Sequence, residues 1–288
     1  VLKLIHFEII TTLILFAGVA TAIKTTSANP FTIGIVRLVI AVLGIGIINL
    51  NKNKLEKIRS LTSSDLKFLI SIGLCFSVHW LSYFFSVKLA GSALAVLTIS
   101  CYGVFLSLWG MFIYGEPLTK INILGLVLST LGVYLLVPNF DLTSLSTLGV
   151  LIGLASAFIY SLVPILHKKV LHIDSSIRIL GQFSFALLFF MISFPWANFD
   201  LVVNDWGGLL YLGIFGTLIA HSLWAKITSQ IPAHTSSVIY YLYIPLSVAI
   251  AQWHLGEKLS ISSKIGGFLI VLGACASYLF SLMKKIKV

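Results

Sequence analysis

Arg37 is the chemically most demanding residue of this sequence, because it sits in the middle of an apolar run at 31–50. A guanidinium at membrane depth costs on the order of several kcal/mol, so it needs a partner or a wet cavity. Contact with an anion, for instance a carboxylate, is one role. Packing against carbonyls, or reaching toward a membrane edge, is the other. Gln182 occupies the corresponding place in the second half of the chain. Two clusters carry further polar and aromatic groups inside apolar runs: His79-Trp80-Leu81-Ser82-Tyr83 and His221-Ser222-Leu223-Trp224. Imidazoles accept protons near neutral pH and aromatic faces hold cations, so these groups suit a wet pocket, although ordinary helix packing uses the same residue types. Tyr102, Tyr240 and Tyr243 form a second aromatic set. Tyr240 and Tyr243 are three apart and share a helix face, whereas Tyr241 points elsewhere, into packing. Pro245 removes a backbone hydrogen bond and offers a hinge or a static kink. Glu8 lies about a turn inside the first apolar run. Buried, it would join His79 and His221 as a proton-coupling group; at the interface it would be an anchor.

Other chemistry is missing. The sequence has no Walker loop, no His-Glu-x-x-His, no Gly-x-Ser-x-Gly and no dinucleotide fingerprint. Nothing in it calls for a catalytic residue, a metal or a cofactor. Of its 288 residues, 58% are hydrophobic and only 10% charged, against roughly 25% charged in soluble domains. A net charge of +10 raises nucleic acid as a partner, but the basic residues lie in short gaps between apolar runs, where membrane proteins carry orientation signals. The expected partners are therefore a lipid bilayer and a small-molecule substrate, with no nucleic acid. Cys75, Cys101 and Cys275 all lie in apolar segments. Their odd number and spacing fit small packing residues, not a metal site.

The elements that must position these groups are membrane helices. A spanning helix needs about 20 mostly apolar residues. Ten such runs occur, near 5–23, 31–50, 66–87, 93–114, 120–137, 147–166, 177–195, 207–228, 235–255 and 262–282. Lys3, an apolar run and Ala20-Thr21-Ala22 imitate a signal peptide, but Phe16 to Lys24 spans the same distance as Tyr160 to Lys168, so the first run reads as a retained helix. The longest connection, about 51–65, reads as a solvated basic loop. Gly115-Glu116-Pro117-Leu118-Thr119 and Gly256-Glu257-Lys258-Leu259-Ser260 lie 141 positions apart. At the same offset Tyr102 meets Tyr243, Gly125 meets Gly266, and Gly132 meets Gly273. The chain is a tandem duplication, 1–144 and 145–288. Five spans per half force the second half to insert upside down, so the expected fold is an all-α integral membrane protein of ten helices in two inverted five-helix repeats. Glu116 and Glu257, beside Gly at span ends, read as structural turn residues. Gly149-x-x-x-Gly153 permits close helix contact.

Charge tests the count. With both termini in the cytoplasm, the inner side collects fourteen Lys and Arg, the outer side collects Lys24, Lys88, Lys258 and Lys264, and Arg37 lies within a span. That bias follows the positive-inside rule.

Together these features resemble the drug/metabolite transporter superfamily, specifically its EamA-type ten-helix members. The Gly-Glu-x-Leu strings at Gly115 and Gly256 carry the resemblance, with Phe16-Ala17, Lys24, Arg37 and Pro245 in support. Val104 departs from the pattern, standing where the partner of Pro245 would be. The resemblance implies transport of small organic solutes without ATP, often export of amino acids or metabolites. It also implies that spans 1–4 and 6–9 enclose a central cavity, with spans 5 and 10 outside. The expectation is a secondary transporter in a bacterial inner membrane that exports or exchanges such solutes by alternating access. Arg37, His79, Trp80, Tyr83, Tyr102, Gln182, His221, Trp224, Tyr240 and Tyr243 are its substrate-binding candidates and Pro245 its hinge. A cationic drug or amine exporter is the alternative within that class. An intramembrane enzyme acting on a lipid-linked group is the alternative outside it.

Overall fold

Without water at hand, backbone N–H and C=O groups must be satisfied within their own segment, so long apolar runs fold as helices. The computed structural model describes residues 2–114, 120–136, 141–230 and 239–285, and among these every regular element is helical. In chain order they are α1 (Leu2–Ala17), α2 (Val19–Thr25), α3 (Pro30–Ile48), α4 (Lys52–Arg59), α5 (Ser63–Ala90), α6 (Ser92–Ile99), α7 (Tyr102–Tyr114), α8 (Lys120–Leu136), α9 (Leu145–Tyr160), α10 (Leu162–Lys169), α11 (Ser175–Ile192), α12 (Val203–Leu210), α13 (Ala220–Gln230), α14 (Tyr243–Leu255) and α15 (Ile261–Lys285). A π-helix, Tyr211–Ile219, joins α12 to α13. Seven helical stretches among the described residues are long and apolar enough to cross a membrane: Phe7–Thr25, Pro30–Ile48, Ser63–Ala90, Ser92–Ile113, Leu145–Lys169, Ser175–Ile192 and Val203–Gln230. The expected runs at 120–137, 235–255 and 262–282 are also helical wherever they are described.

The structure corrects the connection at 51–65. It is not simply a loop, because α4 folds within it, with no fully buried residue and with Ile58 resting against the core. Asn51 caps that helix by accepting from the Lys54 N–H, and Lys57 and Arg59 sit in its last turn, where they complement the helix dipole.

Three of the crossing stretches are broken near their middles, and a fourth break falls within the run 235–255. The breaks fall at Gly18, at Ser100–Cys101, at Ser161 and at Leu242. Two are explained by proline. Pro164 and Pro245 each stand third in the helix that follows a break, the first turn being where a missing N–H is tolerated. Pro245 thus marks the start of a new helix three residues after the break, while Ser100–Cys101 breaks without any proline.

Glycines set the closest helix approaches. A Cβ at Gly132 would lie 2.5 Å from the Gly266 carbonyl oxygen, and one at Gly273 would lie 2.7 Å from that of Gly125. Position rises along α8 while it falls along α15, so the two helices pack antiparallel, backbone against backbone. Gly149 and Gly153 bring α9 equally close to α5, where added Cβ atoms would meet the Ala90 N at 2.7 Å and the Ser86 Oγ at 2.6 Å.

Candidate functional site

The broken helices α1–α2 and α6–α7 and the start of α14 meet α3, α5 and α13 around a central cavity of about 30 Å³, room for about one water. Its wall includes Phe16, Arg37, His79, Trp80, Tyr83, His221, Tyr240 and Tyr243, and it contains no acidic residue. Arg37 is 1% exposed. Its guanidinium lies flat on Trp80, with Cζ 3.9 Å from the ring centroid, and 5.2 Å from that of Phe84. Arg37 Nε donates to Thr217 Oγ1 at 2.9 Å, and that hydroxyl donates to the Leu212 carbonyl at 2.7 Å. Thr217 belongs to the π-helix, whose wide turn faces α3; π turns inside α-helices recur at functional sites. Arg37 Nη2 is buried without a hydrogen-bond partner.

His79 is fixed by Ser156. The Ser156 hydroxyl donates to the His79 carbonyl at 2.8 Å and therefore accepts from His79 Nδ1, also at 2.8 Å, so Nδ1 carries the proton. The ring stacks on Tyr160 at 4.2 Å. His221 packs edge-on to Phe16 at 4.8 Å. Although the two histidines miss the repeat offset by one residue, both line the same cavity. Tyr243 OH donates to Tyr240 OH at 3.4 Å.

The remaining candidates lie elsewhere. Tyr102 is buried outside the central wall, against Tyr160 at 4.9 Å and Tyr240 at 5.1 Å. Gln182 and Trp224 line a second cavity of about 10 Å³, which His221 shares with the central one. There Gln182 Oε1 meets His167 Nε2 at 2.6 Å, while His167 Nδ1 is buried without a partner. His167 and Thr217 lie in no motif of the sequence, and Tyr160 stood out there only as a repeat marker. Pro164, three residues before His167, was the available signal for a broken helix with a buried polar group.

Glu8 lines neither of these cavities and is not isolated, since Lys226 Nζ donates to its Oε1 at 2.6 Å. Glu257 does more than turn the chain. Its two oxygens accept from the N–H groups of Ser92 and Ala93, each at 2.8 Å, so it caps α6 from the other half of the chain. Glu116 lies outside the described residues. At the same end Asp205 accepts from Ser27 N (2.6 Å), Ser27 Oγ (2.6 Å), Thr26 Oγ1 (3.1 Å) and Val202 N (3.0 Å).

The opposite end, where α1 begins and α13 finishes, holds a third cavity of about 520 Å³. Lys57, Ser60, Asp65, His172, Asp174 and Arg178 are on its wall. Lys54 pairs with Asp174 and holds its carboxyl down at about 2.

An all-helical chain with apolar spans, broken helices and an enclosed polar centre is a membrane transporter by class. Profile comparison identifies which kind: the EamA-like transporter family matches residues 4–137 and again 147–279, and the chain belongs to that family. Among its relatives is a probable amino-acid metabolite efflux pump of Escherichia coli (strain K12), 23% identical over 224 residues, covering 72% of this chain and 75% of that one. An uncharacterized transporter of Bacillus subtilis (strain 168) is 20% identical over 201 residues, 66% of each chain. A crystal structure at 20% identity shares the fold, with a TM-score of 0.68 over 96% of this chain and 98% of that one.

Proposed function

We propose that this chain is a secondary transporter that exports or exchanges small organic solutes, such as amino acids or related metabolites, by alternating access. Its unit is ten spans in two inverted five-helix repeats, 1–144 and 145–288, in a bacterial inner membrane with both termini cytoplasmic. The observation that carries this reading is the central cavity, where broken helices from both halves meet around Arg37. Discontinuous helices around a midplane site are the usual build of such transporters. The inverted arrangement is supported by the antiparallel glycine contacts of α8 and α15. Gly132 on Gly266 becomes Gly273 on Gly125 when the halves are exchanged at the 141 offset, as a two-fold axis requires. The breaks repeat too, Cys101 against Leu242 at the same offset, and Gly18 against Ser161 two residues beyond it. The efflux-pump relatives support the solute class.

In this closed conformation the centre admits no amino acid, so access requires the spans to part. The test is counterflow in proteoliposomes containing the purified chain and loaded with mixed amino acids. Uptake of at least one labelled amino acid, lost in a Tyr83→Ala, Tyr243→Ala double variant that still inserts, is expected. Absence of movement for every solute tried would remove the reading. Topology has its own check. A cysteine at Asn204, in a background lacking native cysteines, should label from outside the cell and one at Asn53 should not.

A further inference from the structure

Two buried guanidinium groups stand out, and among the described residues neither makes an ion pair within 4.0 Å, although the Asp174 carboxylate shares a cavity with Arg178 and acts on it through its charge. Arg37 is 1% exposed with Nη2 unpartnered, and Arg178 is 4% exposed with Nε unpartnered. Lys54 pairs with Asp174 and Lys226 with Glu8, His172 meets Asp65, and neither arginine takes part in these contacts. Arg37, with no carboxylate in its cavity, is a buried cation without a counter-ion, a strongly destabilising arrangement. An anionic ligand would remove that penalty, and a cationic one would deepen it.

The two arginines are linked by one hydrogen bond and two cavities that share His221. Arg178 lines the cavity of about 520 Å³ at the end where α1 begins. Its Nη1 donates to the His167 carbonyl at 3.3 Å. His167 lines the cavity of about 10 Å³ together with Gln182 and His221, and His221 shares the central cavity of about 30 Å³ with Arg37. No acidic side chain lines either inner cavity. In the outermost one both acids are already engaged. Asp65 accepts from Thr62 and faces His172, and Asp174 caps Ser176 beside Lys54. The aromatic face best suited to an ammonium, that of Trp80, is occupied by the Arg37 guanidinium at 3.9 Å.

We infer that the transported solute carries a carboxylate, taken up at Arg178, passed through the His167–Gln182 constriction and held at the centre by Arg37, and that amines lacking an acidic group are excluded. The inference rests on the central cavity being the transport site, and it names the class of solute for that site. The His167–Gln182 bond of 2.6 Å closes a space too small for any such solute, so it must open for each passage. Arg37 is then the binding group and Arg178 the entry group.

A matched series tests this: L-leucine, its oxo acid 4-methyl-2-oxopentanoate, and 3-methylbutylamine, followed by the other amino acids, their oxo acids and their decarboxylated amines. Thermal unfolding of the purified chain reads binding and proteoliposome counterflow reads passage. Carboxylates should raise Tm and exchange, and the amines should do neither. Arg37→Gln should weaken carboxylate binding roughly tenfold or more, the scale of one charge-assisted contact. Arg178→Gln should slow exchange while leaving equilibrium binding within about twofold, because entry and not the bound state is changed. If Arg37→Gln does not accumulate, Arg37→Lys serves, since it keeps the charge and loses the bidentate fork; it too should weaken carboxylate binding. Amines that bind or exchange as well as their parent acids would overturn the inference, as would a folded Arg37 variant with unchanged carboxylate affinity. If amines or neutral solutes exchange and no carboxylate does, the inference falls and the transporter reading stands. If a cooperatively folded chain exchanges nothing in the series, both fall.

Discussion

The two ends of the bundle are closed by different chemistry. At the end carrying Asp205 and Glu257, each carboxylate gathers backbone and hydroxyl donors from distant segments. Asp205 has four donors across Thr26, Ser27 and Val202, and Glu257 holds the first turn of α6. Lys24 and Lys88 add contacts there, each donating to a backbone carbonyl, of Lys88 and Thr26 respectively. At the opposite end the charged ties run between side chains, and Asn49 and Ser176 add neutral ones, Ser176 Oγ donating to Asn49 Oδ1 at 2.9 Å and Asn49 Nδ2 to the Ser176 carbonyl at 3.4 Å. Lys226 reaches Glu8 with its side chain 37% exposed, and Lys54 reaches Asp174. That end also leaves Arg178 Nε and His167 Nδ1 unpartnered and holds the widest of the three cavities. Backbone donors are fixed by their helices, so closing on them loses little side-chain entropy. Pairs of long exposed side chains lose more and gain less. The contrast is between a latched end and a more loosely held end, and under the proposed alternating access it predicts that the spans part first at the second.

The strongest way to break this contrast is at Asp205. Asp205→Ala should lower stability more than any other substitution named here, because several donors to one charged acceptor are lost together. Detergent-solubilised thermal unfolding would read it. A loss no larger than that of a surface substitution would show that the latched end is not latched. Glu257→Ala should lose about 1–2 kcal/mol as a removed helix cap, and it should raise the reactivity of a cysteine placed at Ala95 toward an outside reagent. Unchanged reactivity would separate capping from closure. Gly91, the residue before that helix, sits at φ +93, so Gly91→Ala should add strain at the same point, with a Cβ 3.2 Å from the carboxylate it would crowd.

Smaller effects are expected at the loose end. Glu8→Gln should change stability by under about 1 kcal/mol and leave the pH profile of exchange in place, because its carboxylate is matched by Lys226. A flattened profile would instead make Glu8 a proton-coupling group. Smallest is the effect of Asp174. Its folded-state carboxyl titrates near 2, below its ordinary 3.8, through the Lys54 contact first and the Ser176 bonds after. A depressed acid stabilises above its unfolded value, and that stability is lost as pH falls through the folded one. The loss should therefore fall between about pH 4 and pH 2. Asp174→Asn should remove that step from an acid unfolding curve, with an amplitude below about 1 kcal/mol.

Much of the fold was legible from local sequence. Length and apolarity of a run decide whether a segment is a membrane helix, so each expected run is helical where described. Other features were visible only as residues without geometry. Tyr102 matches Tyr243 in the repeat, yet Tyr243 lines the cavity and Tyr102 lies behind Tyr160 and Tyr240. His167 carried no motif and entered the interior because α10 begins afresh at Leu162.

The sequence by itself determined the class: a duplicated, basic, densely apolar chain with one arginine too deep to be idle. Composition and spacing suffice for that because the bilayer acts on whole segments. Tertiary structure decided which groups meet. One residue rotates a helix by about 100°, and the rotation of each helix is set by packing that no local pattern encodes. The π-helix at Tyr211–Ile219 shows the reason. Its wider turn takes up an additional residue and re-phases α13, so that His221, one position out of register by sequence, faces the cavity of His79. The same turn brings Thr217 to the guanidinium of Arg37.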